Sequence, residues 1–364
     1  MIMANNLKRQ FDLHADEYEK KALEVLRSGW YILGEEVKSF EKEWANYIGS
    51  KYCVGLASGL DALWISFRLL DIHEGDEVIV CSNAYIACVM GITINGATPI
   101  FVEPDEYDNI NADEIEKAIT SKTKGILAVH LYGTSCDMTK IMDIAYKYNL
   151  KVVEDCAQSH GNCWNGQKVG TFGDIGCFSF YPSKGCGAFG DAGCIVTNNE
   201  ELDDRFRVYG NYGSRVRYQN EVVGANSRLD ELQAGLLRVK LKHLDEFNKE
   251  RCKLAEKYFN EIKNPLIKLP KIRPGADSSW HQFVVHVPNR RNDLMNYLKE
   301  KDIGTIIHYP IPPHLSEAYK YLGYKKGDFP ITEKYADEVL SLPMYNGMTD
   351  EEQDYVIKAI NEFK

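Results

Sequence analysis

Two residues of this chain are suited by type and position to do chemistry together. Asp155 closes an apolar run, Lys151-Val152-Val153-Glu154-Asp155. Lys184 follows a second one, Ile175-Gly176-Cys177-Phe178-Ser179-Phe180-Tyr181. Both runs read as buried strands, and open α/β sheets bind ligands beyond the carboxyl ends of their strands. A lysine and a carboxylate delivered there can hold pyridoxal 5′-phosphate. The lysine forms a Schiff base and the aspartate partners the pyridinium nitrogen. Taken alone, the same residues also fit a solvated loop lysine and a turn aspartate, so the surrounding elements have to decide.

Those elements alternate. Strand-like runs recur from about residue 55 to 200: Glu77-Val78-Ile79-Val80, Pro99-Ile100-Phe101-Val102, Gly125-Ile126-Leu127-Ala128-Val129, Val152-Val153, Cys177-Phe178-Ser179-Phe180 and Cys194-Ile195-Val196. Helical patterns such as 112–119 and 138–148 lie between them. The alternation predicts an α/β fold with a mostly parallel sheet covered on both faces. From about 229 to 263 the pattern predicts one long charged helix, with room for a break, ended by Pro265 and Pro270. Beyond 275, short strands such as Phe283-Val284-Val285-His286-Val287 mix with helices and predict a smaller α+β domain. Tyr18 to Ser28 is helical in pattern. The expected division is an N-terminal segment (1–35) packing on the small domain, a large cofactor-binding domain (36–245) and a small C-terminal domain (246–364).

Composition narrows the class. The 364 residues suffice for two domains, with 44% hydrophobic and 26% charged residues. A net charge of -10 argues against nucleic acid and anionic membrane surfaces as partners. No stretch is apolar and long enough to span a bilayer, and the first residues lack a signal-peptide apolar region. The ten cysteines form no Cys-x-x-Cys pair, which argues against zinc, and read as free thiols of a reducing cytoplasm. The nine histidines show no metal-ligand spacing.

Three further motifs bear on the site. Ala57-Ser58-Gly59-Leu60-Asp61-Ala62-Leu63 is a small-residue turn opening a helix, which offers N–H groups to a phosphate or is an ordinary capped helix start. Asp155-Cys156-Ala157-Gln158 crowds polar groups at a strand end, where Gln158 could reach a ring hydroxyl. Gly185-Cys186-Gly187-Ala188-Phe189-Gly190 matches the dinucleotide fingerprint in letters only. A strand, Cys194-Ile195-Val196-Thr197, follows where that fingerprint requires a helix. The glycines are expected to let the backbone pass close to a bound ring and phosphate.

Together, several segments resemble the DegT/DnrJ sugar aminotransferases, fold type I pyridoxal phosphate enzymes with an aspartate-aminotransferase-like architecture. They are Tyr31-Ile32-Leu33-Gly34, Ser58 to Leu63, Gly75-Asp76-Glu77-Val78-Ile79-Val80, His130-Leu131-Tyr132-Gly133, Glu154 to Gln158, Phe178 to Lys184, Gly224 to Ala234 and His308-Tyr309-Pro310. The resemblance implies that Lys184 is the Schiff-base lysine and Asp155 the pyridinium partner. It places Gln158 by the ring hydroxyl, Tyr85 stacked on the ring, and Ser58, Gly59, Leu60 and Ser179 around the phosphate. It also implies a homodimer with composite sites, Asn226 reaching the neighbour's phosphate. His308, Tyr181 and Arg228 are its candidates for substrate contact. Gly185-Cys186 departs from the family's usual Asn-Leu after the lysine, and Cys156 stands where alanine is common.

Within the family, Leu60, Ser82-Asn83-Ala84-Tyr85-Ile86-Ala87, Val102-Glu103-Pro104-Asp105 and Asn226-Ser227-Arg228-Leu229-Asp230-Glu231 look like enzymes that aminate C3 of dTDP-3-keto-6-deoxyhexoses. L-Glutamate would give the amino group and leave as 2-oxoglutarate, in two half-reactions with ping-pong kinetics. The gluco product is favoured over its galacto epimer. The rival readings are amination at C4 of a 4-keto sugar nucleotide and, from another class, a cofactor-binding regulatory homologue. Family dehydratases carry histidine where this chain has Lys184.

Overall fold

Seven of the apolar runs join into one sheet. A computed structural model describes residues 1–364. The sheet strands are β1 (Tyr52–Leu56), β2 (Glu77–Cys81), β3 (Thr98–Val102), β4 (Thr123–Val129), β5 (Lys151–Asp155), β6 (Ile175–Ser179) and β7 (Gly193–Thr197). Their spatial order is β1-β7-β6-β5-β4-β2-β3. The five from β6 to β3 are parallel, while β7 runs antiparallel to both β6 and β1. Crossover helices cover both faces of such a sheet, which is why its strands read as continuous apolar runs rather than as alternation.

The helices are α1 (Leu7–Asp12), α2 (Ala15–Ser28), α3 (Glu35–Ile48), α4 (Gly59–Leu69), α5 (Ile86–Thr93), α6 (Ala112–Ala118), α7 (Met138–Tyr148) and α8 (Glu200–Gly210). Leu63, Val89 and Phe206 pack on Val80, Leu127 and Ile195 on one side of the sheet. Ile115 and Ile141 pack on Ile79, Ile126 and Val152 on the other, with Phe40 and Trp44 of α3 against Phe178 nearby. Strand β1 begins before the expected alternation. Gly55 interrupts its apolar pattern, and the glycine is there because a Cβ would stand 2.7 Å from Leu229 Cβ.

The long helix α9 (Glu231–Glu261) runs for 31 residues without the break the pattern allowed. Its one internal glycine, Gly235, lies where α2 crosses, with Val25 3.0 Å from a Cβ built there. The chain leaves the helix at Ile262, three residues before Pro265. Beyond it, β8 (Phe283–His286) pairs antiparallel with β9 (Val339–Leu342), flanked by α10 (Arg291–Glu300), α11 (Pro330–Glu338) and α12 (Asp350–Glu362). These share a second core, including Leu254, Tyr258, Phe283, Leu298, Leu340 and Ile357. The N-terminal residues reach this part: Ile2 bridges to Ile303, and Arg9 grips both Glu352 carboxylate oxygens at 3.1 and 3.2 Å. Helix α2 instead buries Tyr18 and Val25 and packs along α9.

Candidate active site

A cavity of about 440 Å3 opens at the carboxyl ends of β5 and β6, a volume suited to a cofactor-sized ligand. One end is a cup of backbone donors. Ser58 caps α4, its Oγ accepting from Asp61 N at 3.1 Å, and the N–H groups of Gly59 and Leu60 lie in the helix's first turn, where no intrahelical partner exists. A Cβ on Gly59 would collide with Ser179, and one on Gly193 with the Ser58 carbonyl. The small residues thus let the helix start close against the ends of β6 and β7. The positive end of the helix and the Ser179 hydroxyl suit a phosphate.

At the centre, Asp155 is buried and its carboxylate is held on both sides. Oδ1 accepts from Ala157 N at 3.0 Å and Oδ2 from the Cys88 thiol at 3.1 Å. Burial pushes that thiol well up, so it stays a donor. Lys184 lines the same cavity, and burial lowers its amine below the usual value while Asp155 and Cys88 pull it back up. Gln158 is fixed by accepting from Tyr132 N at 2.6 Å and donating to Tyr309 Oη at 3.1 Å. Tyr85 faces Tyr309, ring centres 4.9 Å apart. One residue before Asp155, the fully buried Glu154 accepts from Gly170 N, Phe172 N and Gly173 N, each at 2.8 Å, and lies 3.2 Å from His130 Nε2. That network anchors the strand end from which Asp155 projects.

The far wall comes from the C-terminal part of the chain. His281, Gln282, His308 and Tyr309 all face the cavity. His308 lies between Ser341 Oγ at 2.7 Å and Gln282 Nε2 at 2.9 Å, so the amide donates to Nε2 and the ring carries its proton on Nδ1. Burial and the nearby Lys184 charge lower His308 to about 4. His281 is half-buried, with its Nδ1 shielded and unpartnered. Arg251 of α9, itself buried, donates to the carbonyls of Trp280 and His281 and ties this wall to the long helix.

The cavity therefore gathers Ser58, Gly59, Leu60, Tyr85, Asp155, Gln158, Ser179, Tyr181, Lys184 and His308. It does not include Asn226 or Arg228. Asn226 is exposed on the chain's own surface. Arg228 donates to Asn211 Oδ1 at 2.9 Å and lies over the Tyr212 ring. Gly187 was expected to admit a ring or phosphate, but the group pressed against it is the Pro182 carbonyl. Sequence reasoning missed Cys88, His281, Gln282 and Tyr309 as lining residues. Only Tyr309 stood in a quoted motif. Folding also brings His14, Glu17 and His243 within 4.8 Å of one another. Their imidazoles stack face to face, 3.6 Å apart at 13°, so their ring-plane lone pairs run side by side rather than converging.

Comparison with known proteins agrees with this geometry. The model of the DegT/DnrJ/EryC1/StrS aminotransferase family matches residues 13–361. A dTDP-3-amino-3,6-dideoxy-alpha-D-galactopyranose transaminase of Aneurinibacillus thermoaerophilus is 51% identical over 98% of both chains. The crystal structure of S. venezuelae DesV in complex with a ketimine intermediate superposes with a TM-score of 0.97 at 42% identity, covering 99% of this chain and 98% of that one. That of Bacillus subtilis NtdA, with bound cofactor PMP, gives 0.91 at 33% identity, covering 98% and 83%. The chain belongs to the DegT/DnrJ/EryC1/StrS aminotransferase family, fold type I enzymes that work with pyridoxal phosphate.

Proposed function

We propose that this enzyme moves the amino group of L-glutamate to C3 of a dTDP-3-keto-6-deoxyhexose, releasing 2-oxoglutarate and a dTDP-3-amino-3,6-dideoxyhexose. The observation that carries the chemistry is the convergence of Lys184, Asp155 and the Gly59–Leu60 helix start on one cavity. These residues fit pyridoxal phosphate: an amine to hold its aldehyde, a buried carboxylate for its ring nitrogen and unpartnered N–H groups for its phosphate. Bound there, the group supplies the electron sink that loosens the α-proton of an amino acid.

The chain's own groups do the rest. Gly59 N–H, Leu60 N–H, Ser58 and Ser179 would hold the phosphate, and Tyr85 would cover the ring. Asp155, braced by Ala157 N and Cys88, would present its carboxylate to the ring nitrogen. Gln158 presents its amide beside the ring hydroxyl. The Lys184 amine would take the α-proton of the amino acid and hand it back to the carbon on the far side of the amino nitrogen, a task helped by burial, which lowers its affinity for a proton. His308 and Tyr181 border the space left for the sugar.

No arginine lines the cavity, so the diphosphate must find its cations elsewhere. The working unit is a homodimer with composite sites, in which the exposed Asn226 and the neighbouring Arg228 serve the second copy. No helix is long and apolar enough to cross a membrane, in keeping with work in the cytoplasm.

The position of amination rests on the residues around Leu60, Tyr85 and Asn226 and on the name of the 51% identical relative. The gluco product favoured from the sequence and the galacto product of that relative differ at C4, a carbon the reaction leaves untouched. The test is incubation with pyridoxal phosphate, L-glutamate and a dTDP-3-keto-6-deoxyhexose made in situ, read by NMR. A 3-amino sugar nucleotide supports the proposal, and its C4 coupling assigns the epimer. A 4-amino product from dTDP-4-keto-6-deoxyglucose overturns the C3 assignment within the family. Absence of any amino sugar from either substrate overturns sugar amination.

A further inference from the structure

A second cavity, of about 350 Å3, shares the loop that carries Lys184. Tyr181, Ser183, Lys184, Asp191 and Ala192 face the active cavity, whereas Pro182, Ala188 and Phe189 face this one. Its remaining wall is built by Leu7, Lys8, Gln10 and Phe11 of α1, Tyr18 of α2 and Lys240 of α9.

Two of those side chains bring hydrogen-bond donors to the cavity. Lys240 is only 6% exposed and lines the cavity, and burial lowers its amine. Tyr18 is 2% exposed, and its hydroxyl has no hydrogen-bond partner. A buried hydroxyl without a partner is destabilising, and an acceptor carrying negative charge in this cavity would satisfy it while meeting the Lys240 cation on the same wall. Phe11 and Phe189 add aromatic surface, with ring centres 6.0 Å apart at 85°.

We propose that this cavity binds a small organic anion, a carboxylate or phosphate on a flat apolar body, with its charged end on Lys240 and Tyr18. The body lies along Phe11 and Phe189. The ligand rests against Pro182 and Ala188, behind the catalytic lysine rather than in front of it. Burial holds the Lys240 amine at about 8 in the absence of such a ligand, and a bound anion would raise it.

The test is equilibrium dialysis of the pyridoxal phosphate-loaded dimer, whose active-site phosphate cup is then filled, with benzoate and with phenyl phosphate at fixed chloride ionic strength. Saturable uptake of one equivalent per chain is expected for at least one probe, and the probe taken up names the charged group. Lys240→Met should weaken it at least about tenfold and Tyr18→Phe about 2- to 10-fold. The methionine variant should melt no lower than the parent, since it removes a charge that burial disfavours. Uptake of neither probe, or uptake that both variants leave unchanged, overturns the proposal. If Lys240→Met does not fold, Tyr18→Phe decides alone, as it removes a single oxygen.

Discussion

The Cys88 thiol donates to Asp155 Oδ2 at 3.1 Å, so one side of the site's central carboxylate is held by a sulfur. Cys88 lies in the first turn of α5, and Asp155 ends β5. Removing the thiol leaves the carboxylate braced by Ala157 N alone. Cys88→Ala is expected to lower kcat/KM about 2- to 10-fold and to weaken cofactor binding by a similar factor, with Cys88→Ser recovering part of both. Steady-state kinetics and an absorbance titration of the cofactor check this. An alanine variant as active and as tightly loaded as the parent would remove the role.

Lys184→Ala should lose about 10²- to 10⁴-fold or more in the glutamate half-reaction, measured in a single turnover, because no other amine lines the cavity to move the proton. The same lysine weighs against stability. Its amine is lowered in the fold, so the folded chain binds fewer protons than the unfolded one between the two values. The penalty is present in full below the folded value and fades as pH rises to the ordinary 10.5. Cofactor-free Lys184→Met is therefore expected to melt higher than the cofactor-free parent at neutral pH, the gap closing in alkali. A lower melting point for the variant at neutral pH would contradict the assignment.

Acid should loosen the far wall first. His308 titrates near 6.5 when unfolded and at about 4 when folded, so the folded state binds fewer protons across that window. Its contribution is intact above pH 6.5 and is lost as pH falls toward 4. Urea midpoints taken from pH 7 to 4 should fall less steeply for His308→Asn than for the parent. His160, lowered by burial to about 3, keeps part of the slope in both proteins. Parallel slopes would show that His308 does not sense the pH.

Glu154→Gln should destabilise the fold by about 2–4 kcal/mol, read as a lower urea midpoint. The carboxylate accepts three backbone N–H groups, and an amide of the same shape turns an N–H2 toward one of them. Since Glu154 precedes Asp155 on β5, cofactor affinity is expected to fall with it. Unchanged stability would mean that the 170–173 loop does not depend on this anchor.

Much of this was legible in the residues, for a physical reason. Strands β2 to β6 lie between helices on both faces, so Val78-Ile79-Val80 and Ile126-Leu127-Ala128-Val129 are apolar throughout and stand out. Lys184 and Asp155 follow such runs directly, which put both at the same edge of the sheet. Gly55 hid β1, because close approach to Leu229 requires the residue that most weakens a strand pattern. His281 and Gln282 were hidden differently. They line the cavity on a segment whose Trp280 and His281 carbonyls accept from Arg251 of α9, a tertiary contact with no local pattern. Cys88 sits in an apolar helix where a thiol passes for one more small hydrophobe.

Helix α9 carries Glu231 at its start, accepting from Gly34 N and Val37 N, and Arg251 two-thirds along, holding the wall that bears His281. In an unbroken helix these two attachments are related by a fixed phase, since each residue adds about 100° of rotation and 1.5 Å of rise. Inserting or deleting one residue between them would swing Arg251 off the 280–281 carbonyls and carry the C-terminal core with it. Point changes on the exposed face of α9 leave that phase alone. Lineages of this protein should therefore drift in composition along 231–251 while holding the length of that stretch constant, and confine gain and loss of residues to exposed turns such as 217–223.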